Sequence, residues 1–447
     1  MKRQRIGLSE HFTYQKILRF TLPSVIMAVF TSVYSIVDGV FVSKAVGDAA
    51  FAGLNLIFPF IMILGAVGLM IGSGGSALIA KTLGEGDRER ALGYFSFFAI
   101  AISLLGVLLG GIGIAVVRPV AELLGRDASA EAVQNGVLYG TVLLAGLPFL
   151  MLQFCFQSFM VTAEKPMLGF LVTVAAGITN AALDALFILG FHWELAGAAA
   201  ATVVGQAVGG IAPIVYFARR NNASLLRFAK PRFEAKAFFQ ACANGSSELL
   251  SNISFSLVSI LFNVQLLRLA GDNGIIAYGI IMYMSNIFFN IFFGFSMGIA
   301  PVVGYHFGAE NRDELKNLRK KCFVVIAVLG IALTGLSEAL AIPFARIFAT
   351  TEEVFLLTRN GVWLYSFAYL LMGVSVFGSA FFTALNNGLV SASISFIRSF
   401  VFQCGMILLM PVLLGMNGVW LSAVFADIFA CAVTVAFFLA MRKKYGY

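Results

Sequence analysis

The chain has 447 residues, of which 60% are hydrophobic and only 12% are charged, and its mean hydropathy is +0.92. This composition leaves too little polar surface to cover a water-soluble globule of that size, so it excludes a soluble enzyme or binding domain and predicts an integral membrane protein. The net charge of +8 does not indicate nucleic-acid binding, because no basic surface is interleaved with aromatic residues.

Twelve apolar segments are each long enough to cross a bilayer as a helix, which takes about 20 residues. The first is too long for the core of a signal peptide and lacks a small-residue cleavage pattern, so we interpret it as a retained helix. The segments lie at about 17–42, 52–79, 93–117, 136–161, 167–189, 196–218, 245–267, 275–303, 323–345, 361–385, 389–414 and 418–440. The predicted fold class is an all-α integral membrane protein with twelve transmembrane helices.

The two halves of the chain resemble each other. Residues 68–92 and 294–318 both contain an apolar, glycine-bearing helix that runs into a short loop, GEGDRE in the first half and GAENRD in the second. The similarity continues at two further pairs that are each 221 residues apart, Thr162 with Thr383 and Gly197 with Gly418. We therefore predict two pseudo-symmetric six-helix lobes, 1–225 and 226–447. Paired membrane repeats commonly hold a substrate site between them.

The distribution of Lys and Arg predicts the orientation. Most of the 30 Lys and Arg residues lie before the first apolar segment, in alternate loops and after the last segment. These regions share one side of the membrane, and positive charge accumulates on the cytoplasmic side. Both termini are therefore expected in the cytoplasm, on a protein that crosses the plasma membrane several times. The long basic stretch from Arg219 to Phe239 is interpreted as the linker between the lobes.

The sequence carries no enzyme signature. The glycine cluster at 72–76, followed by Lys81, superficially resembles a phosphate-binding loop, but the lysine does not follow a glycine and no strand precedes it. Small residues that let helices pack closely are the better interpretation. The five cysteines have no C-x-x-C spacing and the three histidines have no partner at metal-ligand spacing. We expect no enzymatic activity, no bound cofactor and no ATP-driven step within this chain.

Ionisable groups at membrane depth are costly, so they mark candidate sites. Asp38 follows about twenty apolar or small residues; it either faces the interior or lies near the outer interface and reaches water. Asp184 lies in NAALDALFI with Asn180 one turn earlier, which places an amide and a carboxylate on one helix face. That face is expected to border a cavity, although a structural hydrogen bond between helices is the alternative.

Further along, Glu248 is the only carboxylate in the membrane portion of the seventh segment. It either favours the dipole of a helix N-terminus or forms a second proton or cation site. Arg398 and Asp427, in the eleventh and twelfth segments, are expected to neutralise each other as a structural ion pair. Pro23 is assigned to the first turn of the first helix, where its missing N–H costs nothing, with a hinge as the alternative.

Several motifs carry a resemblance to a known family. The paired loops, the first segment SVYSIVDGVFVSKAVGDAAFAGLN, the fifth ITNAALDALFI and the start of the sixth LAGAAAATVV resemble the multidrug and toxic compound extrusion (MATE) family. The resemblance covers nearly the whole chain. It is greatest to bacterial multidrug exporters, including those with an Arg in the eleventh helix, as in SISFIRSFVF, and an Ala-Asp in the twelfth, as in VFADIF.

This resemblance implies a V-shaped pair of six-helix bundles around a central cavity and the efflux of organic cations in exchange for H⁺ or Na⁺. The cation-coupling residues that it implies are Asp38, Asn180, Asp184 and Thr202 in the N-lobe, and Glu248 in the seventh helix. Some members also carry an Asp in the tenth helix, but FAYLLMGVSVFGSAFFTAL has none. This departure shifts the expected coupling site toward the N-lobe.

The chemistry of these side chains is compatible with either ion. Two carboxylates, an amide oxygen and a hydroxyl supply the oxygen ligands that Na⁺ prefers, so a Na⁺ site is possible at Asp38, Asn180, Asp184 and Thr202. Two close carboxylates also raise each other's proton affinity, so the same site can carry H⁺. The sequence leaves the choice open.

The substrate cavity is expected to be apolar and adaptable. Aromatic and Met side chains suit varied cationic ligands, and we assign to the cavity Tyr278, Met282, Tyr283, Met284 and Phe288. The alternative is that such residues face lipid or pack inside a lobe. Expected partners are amphipathic cationic drugs and membrane lipids, and the chain is expected to work as a monomer.

Three functions remain from different classes. Cation-coupled efflux is the first. A flippase for lipid-linked precursors is the second, but it would favour several Arg or Lys in the cavity to hold pyrophosphate, and only Arg398 is available. A channel or receptor is the third.

Overall fold

The structure is a computed structural model that describes residues 6–126, 128–219, 224–349 and 351–447. The side chains of residues 35–38, 40–45 and 48 lie outside the described part. Within these limits the chain is almost entirely helical and contains no strand. The helices of the N-terminal half are α1 (Tyr14–Ala45), α2 (Asp48–Gly84), α3 (Arg88–Leu124), α4 (Ala130–Ala145), α5 (Leu147–Thr162), α6 (Pro166–Asp184) with a π-helical continuation (Ala185–Gly190), and α7 (Glu194–Ala218).

The C-terminal half begins with a very long helix. Its elements are α8 (Ala235–Gly308), α9 (Arg312–Phe348), α10 (Glu352–Tyr365), a 3₁₀ turn (Ser366–Ala368), α11 (Tyr369–Ala384), α12 (Gly388–Phe396), a π-helical segment (Ile397–Gln403) and α13 (Cys404–Tyr445). With 74 residues, α8 is too long for one bilayer crossing. Its backbone leaves helical geometry at Gly271 (φ 59°), and that of α13 does so at Gly415 (φ 57°). Glycine adopts these left-handed angles without steric cost.

These breaks account for the number of membrane spans. Nine helical stretches of the described chain are long and apolar enough to cross a bilayer, and the bent pair α4 and α5 makes a tenth. The breaks at Gly271 and Gly415 each divide one long stretch into two spans. The predicted fold class, with twelve transmembrane helices, is therefore confirmed for the described residues.

The repeated loops GEGDRE and GAENRD are helix starts. Asp87 accepts a hydrogen bond from the backbone N–H of Arg90 at the beginning of α3, and Asn311 accepts one from Glu314 at the beginning of α9. Side chains of this type satisfy N–H groups that have no partner within the helix. The sequence similarity between the halves therefore reflects the same capping chemistry at the same place in each lobe.

The two lobes meet closely at the end of the molecule that carries both termini. A Cβ on Gly74 would lie only 1.9 Å from the carbonyl oxygen of Ala241, and one on Gly308 would lie 2.0 Å from that of Lys81. Only glycine permits this approach of α2 to α8. The interpretation of the glycine cluster as a helix-packing surface is thereby confirmed.

Residues 6–13, which we call the N-terminal strap, bridge the lobes at the same end. The backbone N–H of Leu8 donates to Oε1 of Glu164 in the N-lobe (2.7 Å), and that of Phe12 donates to Oε1 of Glu314 in the C-lobe (2.9 Å). His11 Nδ1 lies 2.5 Å from the other oxygen of Glu314. Leu8 and Phe12 are buried. The strap thus ties α9 to the loop between α5 and α6.

The assignment of Pro23 to a first helical turn is wrong. Helix α1 begins at Tyr14, so Pro23 lies well inside it. Polar residues such as Lys16 and Arg19 made the apolar segment look shorter than the helix. Inside a helix, proline removes the backbone hydrogen bond to the residue four positions earlier and weakens the helix there.

The linker packs against the N-lobe. Phe228 stacks on Phe95 of α3 with ring centroids 5.0 Å apart, and the N–H of Arg232 donates to the carbonyl of Gly93 (3.2 Å). The Tyr94 hydroxyl donates to Glu234 (2.7 Å), and this hydrogen bond lowers the pKa of the Glu234 carboxyl. The predicted boundary between the lobes, at 225/226, falls within this docked linker.

Candidate substrate cavity and cation site

A cavity of about 1370 Å³ lies between the lobes. Its wall includes residues of α1, α2, α5, α6 and α7 on one side and of α8, α11 and α13 on the other. Small-molecule sites are typically about 300–1,000 Å³. The cavity is thus large enough for a drug-sized ligand with room to spare.

The cavity is closed at the end that carries the termini. There Asn244 Nδ2 donates to Asn386 Oδ1 (2.6 Å), and Asn386 Nδ2 donates to the carbonyl of Ala77 in the opposite lobe (3.3 Å). At the other end the wall reaches Asn55, near the start of α2, and Asn263, on the same side of the molecule as the break in α8. The cavity therefore extends away from the termini.

The predicted N-lobe site brings Asn180, Asp184 and Thr202 together between α6 and α7. Asn180 is 1% exposed and Asp184 is 2% exposed, and Asn180 Nδ2 donates to Thr202 Oγ1 (3.3 Å). Thr202 in turn donates to the carbonyl of Ala198 (3.0 Å). The side chain of Asp38 lies outside the described residues. A Cβ on Gly205 would come 2.9 Å from that of Asn180, so the glycine lets α7 approach this site.

This cluster lies directly behind the cavity wall. Thr202 and Gly205 line the cavity, whereas Asn180 and Asp184 lie deeper. Oδ1 of Asn180 accepts no hydrogen bond from the described residues. An amide oxygen, a carboxylate and a hydroxyl are ligands for a hard cation, and the carboxylate can take a proton instead. The described residues contain no group of three or more His, Cys, Asp or Glu side chains arranged to hold a metal ion.

A π-helical stretch, Ala185–Gly190, follows Asp184 directly. Such insertions of an extra residue into a turn are rare and often occur at functional sites, because they redirect side chains. The second π-helical stretch, Ile397–Gln403, includes Arg398. The fifth segment of each lobe is therefore irregular beside its charged residue.

Glu248 lines the cavity and is the only acidic residue among the described lining side chains. Helix α8 begins at Ala235, so Glu248 lies beyond the first helical turn. A helix dipole stabilises charge only within that turn. The interpretation of Glu248 as a group that favours the helix N-terminus is therefore wrong.

The five residues assigned to the cavity from the sequence divide into two groups. Tyr278, Met282 and Tyr283 line it. Met284 and Phe288 do not; both are buried in the C-lobe core, where Phe288 packs edge-on against Tyr369. The helical period places residues three or four apart on one face, so residues 278 and 282 share the cavity side while residues 284 and 288 share the core side. The assignment of Met284 and Phe288 to the cavity is corrected accordingly.

Arg398 and Asp427 are in contact. The guanidinium Nε donates to Asp427 Oδ1 (3.0 Å). Asp427 is 0% exposed, whereas Arg398 is 8% exposed and lines the cavity. The pair thus joins the cavity wall to the interior of the C-lobe.

Comparison with known proteins agrees with this architecture. The MatE family model matches residues 23–186 and 249–409, one stretch in each half of the chain. The chain belongs to the MatE family. Its two matched stretches together cover well over half of the sequence.

Curated relatives of this MatE protein include bacterial multidrug export proteins. The multidrug export protein MepA of Staphylococcus haemolyticus (strain JCSC1435) is 26% identical over 99% of this chain and 96% of its own length. MepA of Staphylococcus aureus (strain MSSA476) is 23% identical over 96% of this chain and 94% of its own. The chain is accordingly a multi-pass protein of the bacterial plasma membrane.

Solved structures show the same fold. A MATE protein in complex with MaL6 superposes with a TM-score of 0.89 at 21% identity, covering 98% of this chain and 97% of its own. An outward-facing multidrug resistance MATE family transporter of the MOP superfamily gives 0.87 at 21% identity, with 98% and 97% covered.

Sequence reasoning missed the amide side chains of the MatE cavity. Its wall is rich in Asn and Gln, with contributions from both lobes: Asn55, Gln153, Gln157, Gln206, Asn252, Asn263, Asn286, Asn290 and Gln403. Amides within apolar segments are a signal that could have identified them, since a polar group facing lipid is costly. The cavity is therefore amphipathic rather than purely apolar.

Proposed function

We propose that this chain is a secondary active multidrug exporter, a transporter rather than an enzyme. It exports amphipathic organic compounds, mostly cations, in exchange for H⁺ or Na⁺. The curated relatives are named multidrug export proteins and match along almost their whole length. The described lining residues combine aromatic, Met and amide groups with a single carboxylate, Glu248, and this mixture suits flat cationic ligands.

One observation carries the proposal: a drug-sized cavity between two lobes, closed at one end, with a buried polar cluster directly behind its N-lobe wall. The Lys and Arg distribution puts the termini, and hence the closed end, in the cytoplasm. The cavity then faces outward, which is the state in which an exporter releases drug and takes up its coupling ion. Movement of the lobes against each other would open the closed, cytoplasmic end of the cavity.

In this mechanism the coupling ion is a transported substrate. Asp184, Asn180 and Thr202 hold it, together with Asp38, and Glu248 serves as an additional carboxylate within the cavity. One cation that moves down a membrane potential of roughly 150 mV releases about 3.5 kcal/mol. For an uncharged drug, or when two ions enter for each monovalent cationic drug that leaves, this suffices for a drug gradient of order a hundredfold, since each tenfold step takes about 1.4 kcal/mol. No ATPase domain is required.

The alternative functions are less well supported. A flippase for pyrophosphate-linked lipids needs several cationic side chains, whereas Arg398 is the only Lys or Arg among the described residues that line the cavity. A channel would need a continuous path, and the cavity is closed at the terminus-bearing end. One chain supplies both walls of the cavity, so the transporter works as a monomer surrounded by lipid.

Transport by purified protein in liposomes tests the proposal. Uptake of a fluorescent organic cation should require an imposed gradient of H⁺ or Na⁺ and should stop when the gradient is collapsed. A channel would equilibrate the dye without any ion gradient, and a receptor would bind it without transport. Either of those results would replace the exporter proposal.

A further inference from the structure

The linker between the lobes presents aromatic and basic side chains side by side. Phe233 and Phe239 are each 68% exposed, more than any other aromatic side chain of the described residues. Lys230, Arg232 and Lys236, which are interspersed with them in KPRFEAKAFF, are exposed as well. We call these five side chains the linker face. The sequence-based expectation that no basic surface is interleaved with aromatic residues is therefore corrected.

Packing against the N-lobe sets the depth of this face in the membrane. The backbone N–H of Arg232 donates to the carbonyl of Gly93, the first residue of the apolar segment 93–117. A Cβ on Gly93 would lie 2.9 Å from that of Arg232, so the linker lies directly on α3. One turn further along α3, the ring of Phe97 packs edge-on against Phe233, with centroids 5.3 Å apart. The linker therefore crosses α3 where the hydrocarbon meets the lipid headgroups.

The start of α8 lies at the same level. Ala241 of α8 packs against Gly74 of α2, which is five residues inside the apolar segment 52–79. Lys236 precedes Ala241 by the same number of residues, about 7.5 Å along the helix, so it lies near the boundary of the hydrocarbon. Phe239 follows three residues later and shares a helix face with Lys236. This face offers an ammonium group to headgroups and a ring to acyl chains.

The protein does not neutralise the two lysines of the linker face. Glu234 is the only acidic residue of the linker. Its carboxylate accepts hydrogen bonds from Tyr94 (2.7 Å) and Arg90 (3.1 Å) of α3. Within the described part of the chain, no carboxylate forms an ion pair with Lys230 or Lys236. Two ammonium groups at headgroup depth are thus free to bind an external anion.

We propose that the linker face binds anionic phospholipids of the leaflet on the terminus-bearing side. The headgroup phosphates contact Lys230, Arg232 and Lys236, while Phe233 and Phe239 enter the region of the acyl chains. Basic clusters attract anionic headgroups at the membrane surface, and aromatic rings anchor at that depth. A zwitterionic lipid lacks the net charge, and a free anion gains nothing from the exposed rings. Bound lipid stabilises the linker on α3.

Thermal stability of the full-length protein in a neutral detergent measures this binding. Dioleoylphosphatidylglycerol should raise the apparent melting temperature in a saturable way, because a ligand of the folded state stabilises it. Dioleoylphosphatidylcholine at the same concentration should raise it much less. The half-saturating concentration of the anionic lipid should increase with added NaCl, since salt screens exposed charges.

Two variants separate the charge from the rings. In Lys230→Gln/Lys236→Gln the half-saturating concentration of the anionic lipid should rise about tenfold, because two attractive charges are lost. Phe239→Ser keeps every charge and should raise it several-fold, since less apolar surface leaves water. Lys320→Gln/Lys443→Gln is the control: it removes the same charge from exposed positions on α9 and α13 and should leave the value unchanged.

Several results would overturn the proposal. Equal stabilisation by the two lipids would show that headgroup charge is not recognised, and an equal effect of the control pair would show that only net charge matters. A wild-type response to inorganic phosphate or to a single-stranded oligonucleotide, or an unchanged value in Phe239→Ser, would replace the lipid by an anion bound from water. If the double variant does not fold, Lys230→Gln and Lys236→Gln decide singly. None of these measurements uses a drug or an ion gradient, so their failure leaves the exporter function standing.

Discussion

Asp184 is the residue on which ion coupling should depend most directly. Its carboxylate is buried beside Asn180 and close to the cavity wall. Asp184→Asn keeps the shape of the side chain but removes the charge that we propose binds H⁺ or Na⁺. We expect the variant to fold and insert but to confer no drug resistance on a host that lacks other pumps. Asp272→Asn is the control, because Asp272 is exposed beside the break in α8. Wild-type resistance from well-expressed Asp184→Asn would contradict this assignment.

Competition between ion and drug is a second prediction at the scale of single residues. Coupling between two ligands is reciprocal, so an ion that lowers drug affinity must itself be bound less tightly when drug is present. Wild-type protein should bind a fluorescent organic cation more tightly at pH 8 than at pH 5.5, because protonation neutralises the carboxylates.

The double variant Asp38→Asn/Asp184→Asn imitates the protonated state at every pH. It should therefore bind the same cation weakly at both pH values in an equilibrium titration. A double variant that retains the full pH dependence would place the coupling group elsewhere. Glu248, the acidic residue of the described cavity lining, would then be the next candidate.

At the scale of elements, the N-terminal strap should stabilise the closed end of the cavity, which we propose to be cytoplasmic. Glu314 accepts hydrogen bonds from Phe12 and Asn317 and contacts His11. Glu314→Gln removes the charge that strengthens these contacts. The reporter is Ala77→Cys, which is buried at the closed end, in a background without native cysteines. In the protein that also carries Glu314→Gln, this cysteine should react with a thiol reagent added from the cytoplasmic side several-fold faster than in the protein that keeps Glu314. Glu310→Gln, exposed just before α9 and with no side-chain hydrogen bond to the described strap residues, should not change this rate. Equal labelling in all three proteins would exclude a locking role.

The packing of α2 against α8 supports a second prediction at this scale. Gly74→Ala would place a methyl group 1.9 Å from the carbonyl oxygen of Ala241, so the helices must move apart. Overpacking of this kind costs about 1–3 kcal/mol. The apparent melting temperature in detergent should fall by several degrees. Gly111→Ala on α3 is the matched control: its Cβ would meet nothing within 4 Å, and alanine favours a helix over glycine. Equal melting temperatures for the two variants would argue against close packing at Gly74.

At the scale of the whole molecule, the identity of the coupling ion can be settled by transport. If the N-lobe site takes Na⁺, efflux from cells should rise with external Na⁺ at fixed pH. If it takes H⁺, a protonophore should stop efflux in buffer free of Na⁺. The oxygen-bearing side chains of the N-lobe cluster suit both ions, so their chemistry does not decide between H⁺ and Na⁺. The transport experiment does. Efflux that responds to neither gradient would rule out antiport altogether.

The sequence by itself determined the features that depend on local composition and on repetition. Runs of apolar residues specify membrane helices wherever they occur, because an unsatisfied backbone in hydrocarbon is too costly. Twelve helices followed from this alone, and repetition identified the loops GEGDRE and GAENRD, in which the structure shows Asp87 and Asn311 as helix caps. Asp184 was identifiable for a related reason, since a carboxylate within an apolar segment is expensive unless it has a function.

The tertiary structure decided which face of each helix meets the cavity. Met282 and Met284 are equivalent in composition and neighbourhood, yet one lines the cavity and the other packs in the C-lobe core. Likewise the exposure of Arg398 to the cavity while Asp427 stays buried follows from how the helices are placed against one another. In a membrane protein nearly every face is apolar, so hydrophobic patterning does not distinguish lipid, core and cavity. Only the packing of the helices makes that distinction.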